Sequence, residues 1–272
     1  MTTSDLPYRG RLPLSALFTD PLAVARRQLL RVARTPQTAI AALTSPILFL
    51  TLFRYVFGGA IPVPGTSYID YVVPAMLVQN LIFGGFTSAA GLAQDATSGV
   101  LDRFRSLPTP RSSVLAGRAL ADLLLNAVAT LLTLATGLAL GFRFHGGGLA
   151  VLAGFAVLLA VNVALFTLFA AIGLSTRNPE TVQALTPPFF LFLFVSSAFI
   201  PVASLPGWLR PFARNQPVTV FNDTLRVLIQ GKAMTAHFVS HDAGFYVLAS
   251  LGWCALLTAV GGAVALRAYR RL

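Results

Sequence analysis

No Asp, Glu, Lys or Arg occurs in residues 71–94, 123–142, 144–176, 181–209 or 243–266, and 35–53 is equally bare. A run of about 20 uncharged, mostly apolar residues is what a helix needs to cross roughly 30 Å of hydrocarbon. A soluble domain interrupts its elements with polar turns far more often. With 56% hydrophobic and 11% charged residues and a mean hydropathy of +0.74, the 272-residue chain carries more apolar surface than a soluble core of that size can hide. In lipid every backbone N–H and C=O needs an internal partner, which a helix supplies within its own segment. The fold class is therefore all-α, a polytopic membrane protein.

A net charge of +11 is compatible with nucleic-acid binding only where the cations share one water-facing surface. Here they cluster at the ends of apolar segments, which excludes that class. Cys254 is the lone cysteine, so no intrachain disulfide forms. The first fifteen residues hold no continuous apolar stretch followed by a small-residue cleavage site, and the amino terminus is expected to stay where it is made.

Residues 1–18 read as a cytoplasmic tail. The segment 19–35 reads as an amphipathic helix, capped by Thr19 or Asp20, opened by Pro21 and stopped by Pro36. Leu22, Ala25, Leu29, Val32 and Ala33 gather on one face, and the arginines, Arg26, Arg27, Arg31 and Arg34, are placed for lipid phosphates at the membrane surface. The domain 36–272 then divides into six expected spans, at about 37–57, 68–93, 119–142, 149–174, 184–202 and 244–266. Pro46 is expected to kink the first. Arg54 sits near its outer end, placed to snorkel or to meet a substrate. Pro187 and Pro188 restrict the entry of the fifth. Between the fifth and sixth, 203–242 is apolar on one side yet too short or too polar to span, and reads as two half-helices dipping into the outer leaflet.

Counting Lys and Arg on either side of these spans gives fourteen against six, which puts both termini in the cytoplasm. Arg118 and Asp122 stand four apart at the start of the third span, as a surface pair or as part of a proton relay. Gln79, Asn80, Asn126 and Asn162 lie within apolar runs, where amides are costly unless bonded; they are candidates for a substrate path or for hydrogen bonds between helices. Gly84, Gly85, Gly261 and Gly262 are expected to permit close helix packing.

Phosphate-binding loops of the Walker type need a lysine after glycine, and the only lysine, Lys232, has no glycine at the required upstream place. The chain does not bind ATP by such a loop and is not read as an enzyme. His237, His241 and Asp242 have the spacing of a helix-face metal site, but interfacial histidines have the same spacing, and no metal is expected. No Ser/His/Asp or Cys/His set is suggested. What remains is the cytoplasmic stretch SGVLDRFRSLP, where Leu101, Phe104 and Leu107 form one helical face with Asp102, Arg103 and Arg105 exposed. Such a helix suits docking in a cleft of another protein or lying on a surface.

The run TDPLAVARRQLLRVARTPQTAIAALTSPILFLTLFRYVFGG, then YVVPAMLVQN, QDATSGVLDRFRSLPTPRSSVLAGRALAD and SSAFIPVASLPGWLRPFARNQPVTVFNDTLR, taken in order, resembles permeases of the type-2 ABC exporter family, of the daunorubicin-resistance type. The resemblance covers about residues 19–266. It implies six spans, an amino-terminal interfacial helix and a re-entrant helical hairpin before the last span. It also implies a coupling helix at 98–107, with Gly99, Leu101, Arg103 and Phe104 as contacts, and a smaller contact at Arg177, Asn178, Pro179 and Glu180. It implies as partners a separate ATP-binding subunit, which would carry ATP and Mg, and a second permease chain. The cargo it implies is an amphiphilic small molecule, with a lipid-linked glycan exporter or a proton-coupled transporter using Asp122 or Asp70 as alternatives.

Overall fold

The computed structural model describes residues 22, 25–30, 34, 36–98 and 111–270. Among them the chain is all-helical, without strands. Among the described residues, 25–30 are helical, and after them come α1 Pro36–Leu52, α2 Tyr68–Thr97, α3 Arg111–Ala139, α4 Gly148–Thr176, α5 Pro179–Ala184, α6 Thr186–Phe194, α7 Arg210–Asn215, α8 Pro217–Gln230, α9 Lys232–Thr235 and α10 Ala243–Arg270.

Among the described residues four helices are long and apolar enough to cross a membrane: α2, α3, α4 and α10. At 1.5 Å per residue each is roughly 40 Å long, which exceeds the hydrocarbon thickness and leaves room for tilt. Their burial is unequal. In α2, 83% of the most apolar window is covered by the rest of the chain, against 17% in α10. The core is accordingly built around α2: Tyr71, Val72, Val73, Met76, Leu77 and Val78 are all but inaccessible.

Small residues set how closely its neighbours approach. α3 runs antiparallel to α2: Asn80 donates to the Thr133 hydroxyl at 2.7 Å, Gly84 faces Asn126, and Gly91 faces Arg118. α4 runs parallel to α2: a Cβ on Gly85 would lie 2.1 Å from the Phe169 ring, and one on Gly173 would lie 2.3 Å from the Ala89 carbonyl oxygen. α10 packs on α4 through Gly261, whose added Cβ would fall 2.7 Å from the Leu168 nitrogen. The close packing expected at Gly84, Gly85 and Gly261 is present, whereas Gly262 faces open space.

Several boundaries differ from those expected. α2 extends to Thr97 and α3 begins at Arg111, so much of the polar stretch before Arg118 is helix. Pro46 lies inside α1 without ending it; the ladder instead changes at Phe53–Phe57, a π-helical turn. The fifth expected span is jointed, with a break at Leu185 between α5 and α6 and an end at Phe194. Two causes combine: Pro187 and Pro188 remove two N–H donors locally, and carbonyls past Phe194 are drawn to distant side chains, that of Val195 to Gln216 Nε2 at 2.9 Å. Between α6 and α10, the fully buried stretch Thr219 to Gln230 of α8 packs against α2, α4 and α10.

Candidate functional site

Among the described residues several groups of polar side chains interrupt the apolar packing, and three of them contain residues singled out by the sequence or lie beside them. The largest is at the end of the bundle where α2 begins and α8 lies. Ser67 caps α2: its hydroxyl accepts from the Asp70 N–H at 3.3 Å and donates to the Asp70 carboxylate at 2.6 Å. The other Asp70 oxygen accepts from the Arg143 backbone N–H at 3.0 Å, tying the α3–α4 turn to α2. Beside it Arg226, on α8, is completely buried. Its Nε donates to the Tyr71 carbonyl at 3.0 Å, Nη1 to Ser197 Oγ and Asp223 Oδ1 at 2.9 Å each, and Nη2 to the carbonyls of Ser197 and Ala198 at 2.7 and 3.0 Å. All five guanidinium N–H groups are used. A buried cation is tolerated only with such compensation.

From sequence alone Arg226 is one of the six cations counted on the outer side of the spans. The available signal was the Asp223 and Arg226 spacing within PVTVFNDTLRVLIQ, three apart and so on one helix face.

The second group is in the middle of the bundle. Asn126 Nδ2 donates to Asn162 Oδ1 at 3.1 Å, joining α3 to α4, and Asn80 joins α2 to α3 through Thr133. Gln79 is buried, and its Oε1 has no hydrogen-bond partner. Of the four amides named from sequence, three thus make contacts between helices; Gln79 keeps a free acceptor.

The third group lies at the opposite ends of α2 and α3. Arg118 forms an ion pair with Asp95 on α2, and its Nη2 reaches the Ser88 carbonyl at 3.4 Å. The ion pair expected with Asp122 is not the one formed. Asp122 stands a turn further along α3 with its buried Oδ2 unpartnered.

On the same side the α4–α5 turn presents Arg177, Asn178 and Glu180 to solvent, with Pro179 half-buried. Arg177 closes α4 in the left-handed region at φ 50°, and Asn178 caps α5 by accepting from the N–H groups of Glu180 and Thr181 at 2.8 and 3.4 Å. Pro179 occupies the first helical position, where its missing N–H costs nothing. A rigid, exposed, capped turn results. Gly99, Leu101, Asp102, Arg103, Phe104, Arg105 and Leu107 lie outside the described residues, as does Arg31. Arg26 and Arg27, in the helical residues 25–30, are exposed, as is Arg34, in a turn, whereas Ala25 is buried.

Among the described residues no cluster of three His, Cys, Asp or Glu side chains suits a metal. His241 stacks on Phe245 with ring centroids 4.2 Å apart, and His145 Nδ1 shares a 2.7 Å hydrogen bond with Gln230.

Residues 21–229 match the family described as ABC-2 type transporter. The chain is 32% identical over 246 residues to the daunorubicin resistance ABC transporter permease protein DrrB1 of Streptomyces coeruleorubidus, covering 90% of this chain and 83% of the relative. It is 31% identical over 244 residues to the "Probable doxorubicin resistance ABC transporter permease protein DrrC" of Mycobacterium tuberculosis, covering 88% of this chain and 87% of the relative. A doxorubicin resistance ABC transporter permease protein, DrrB, of the same species is 29% identical over 205 residues, 72% of this chain and 71% of that one.

Proposed function

Because the chain belongs to the ABC-2 type transporter family, we propose that it moves an amphiphilic small molecule, of the drug or antibiotic kind, outward across the cytoplasmic membrane. It is the membrane component of an ABC transporter and not an enzyme. The observation that carries the cargo class is the similarity to daunorubicin and doxorubicin resistance permeases, which extends over about nine-tenths of the chain in two of them.

Energy comes from ATP and Mg held by a separate ATP-binding subunit, since the sequence offers no Walker loop. The coupling contacts are Gly99, Leu101, Asp102, Arg103, Phe104, Arg105 and Leu107, with Arg177, Asn178, Pro179 and Glu180 as a second, smaller one. The exposure and rigid capping of the α4–α5 turn support that second contact. Two permease chains, identical or related, enclose the path.

The topology that fits this role has six spans. α2, α3, α4 and α10 supply four; α1 with its π-helical end, and the jointed α5–α6 segment, supply two. The stretch through α7 and α8 forms the re-entrant hairpin. Both termini face the cytoplasm, by the excess of Arg on that side. Arg26, Arg27, Arg31 and Arg34 hold the amino-terminal helix on anionic lipid. Gln79 is the strongest candidate of the four amides for contact with cargo, because its acceptor is free. A lipid-linked glycan is the alternative cargo within the same family.

A proton-coupled reading draws on Asp122 and its unpartnered buried oxygen. Asp70, the other carboxylate considered for that role, is engaged at both oxygens.

Inside-out vesicles containing this chain, with and without an ABC-type ATP-binding subunit that co-purifies with it, decide between the readings. The exporter reading expects doxorubicin uptake that requires ATP and the ATPase and survives collapse of the proton gradient. Uptake by the chain alone that disappears with the gradient would overturn it.

A further inference from the structure

The geometry points to Arg118 and Asp95 as a clamp that holds the last turn of α2 and the first turns of α3 at fixed separation, so that a displacement of the 99–110 connection reaches both helices together. Residues 99–110 join α2 to α3, and among the described side chains Arg118 and Asp95 form a buried ion pair linking the two helices on the side of that connection. Asp95 lies two residues before Thr97, the last residue of α2, and Arg118 lies two turns into α3. Both side chains are nearly inaccessible, with 5% of Asp95 and 8% of Arg118 exposed, so water screens their attraction little.

Two further features fit the arginine to this place. Its Nη2 also reaches the Ser88 carbonyl, nearly two turns up α2 from Asp95, so one side chain grips α2 at two heights. Gly91 makes the room: a Cβ there would stand 2.0 Å from Nη2. A side chain that only neutralised a nearby carboxylate would need neither the second contact nor the missing Cβ. Held this way, the ends of α2 and α3 cannot scissor apart, and a push on the connection is delivered as a joint movement. Without the pair, the same push is spent in separating the two ends. Arg118 and Asp95 act here as positioning residues, and the coupling half of this inference rests on the exporter reading above.

The test uses the full chain in lipid nanodiscs, with Cys254→Ala as background and spin labels at Thr97→Cys and Ala116→Cys, both exposed positions. The parent is expected to give one narrow distance distribution. Arg118→Gln and Asp95→Asn broaden it, and the reversed pair, Asp95→Arg with Arg118→Asp, narrows it again. Single variants as narrow as the parent, or a reversed pair as broad as the singles, overturn the clamp. In the complex with its ATPase, the singles are expected to keep ATP hydrolysis near the parental rate while doxorubicin uptake per ATP falls about tenfold, with recovery in the reversed pair. Uptake per ATP unchanged in broadened singles overturns the coupling role. A parental complex without ATP-driven uptake sinks the exporter reading instead, and the distance measurement then decides the clamp alone.

Discussion

The Arg226 guanidinium carbon lies 3.7 Å from the Tyr71 ring centroid while its Nε donates to that same residue's carbonyl. Tyr71 in turn donates its hydroxyl to the Ser197 carbonyl at 2.6 Å, and Ser197 accepts twice more from Arg226, at its hydroxyl and its carbonyl. Three distant segments, α2, the turn after α6, and α8, are thereby joined through one cation.

Removing that cation should be costly. Arg226→Ala leaves Asp223 buried without its ion pair and three carbonyls without that donor, and breaking a buried pair typically costs about 3–5 kcal/mol. Arg226→Lys should recover little, because an ammonium has three donors and no planar fork. Thermal unfolding in detergent should order the proteins as wild type, then Lys, then Ala. A Lys variant as stable as wild type would reject the five-contact account.

Glycine substitutions should divide by what each would meet. Gly173→Ala sets a methyl against the Ala89 backbone, which cannot rotate away, and should cost about 1–3 kcal/mol. Gly262→Ala meets nothing within 4 Å and should stay within about 0.5 kcal/mol of wild type. Equal stability of the two in the same unfolding assay would contradict the packing.

The Asn126 and Asn162 amides should couple. Asn126→Leu strands its partner's buried oxygen, and Asn162→Leu does the reverse; a double-mutant cycle should return an interaction of about 0.6–1.7 kcal/mol. Additive losses would mean that the two amides are independent.

Phe104→Asp puts a charge on the apolar face of the proposed coupling segment. In the complex it should leave the permease in the membrane yet lower doxorubicin export per ATP hydrolysed by about tenfold. Unchanged export at verified expression would reject docking through that face.

The long apolar runs made four spanning-length helices legible, because hydrocarbon length imposes a requirement that local sequence alone can meet. Boundaries were less so. The start of α3 was hidden because RSSVLAGR looks like a polar loop; Arg118 is held by Asp95 and the Ser88 carbonyl, and both belong to another helix. The break after Phe194 was hidden for the same kind of reason, since the groups that take the carbonyls of Val195, Ser197 and Ala198 lie in α7–α8 territory. Helix-to-helix roles of Asn80, Asn126 and Asn162 were among the readings that spacing allowed, but the choice of partner needed the packed bundle.

The uneven covering of α2 and α10 has a consequence for how such a chain can change over generations. The outward side of α10, with Leu248, Leu256 and Val260 exposed, packs against little of its own chain and is free of the constraint that close packing puts on a side chain's outline. The axis formed by α2 meets its own polypeptide on nearly every side and has no such freedom. New cargo preferences would therefore arise at the margins of that axis, where one altered side chain does not oblige several neighbours to alter with it.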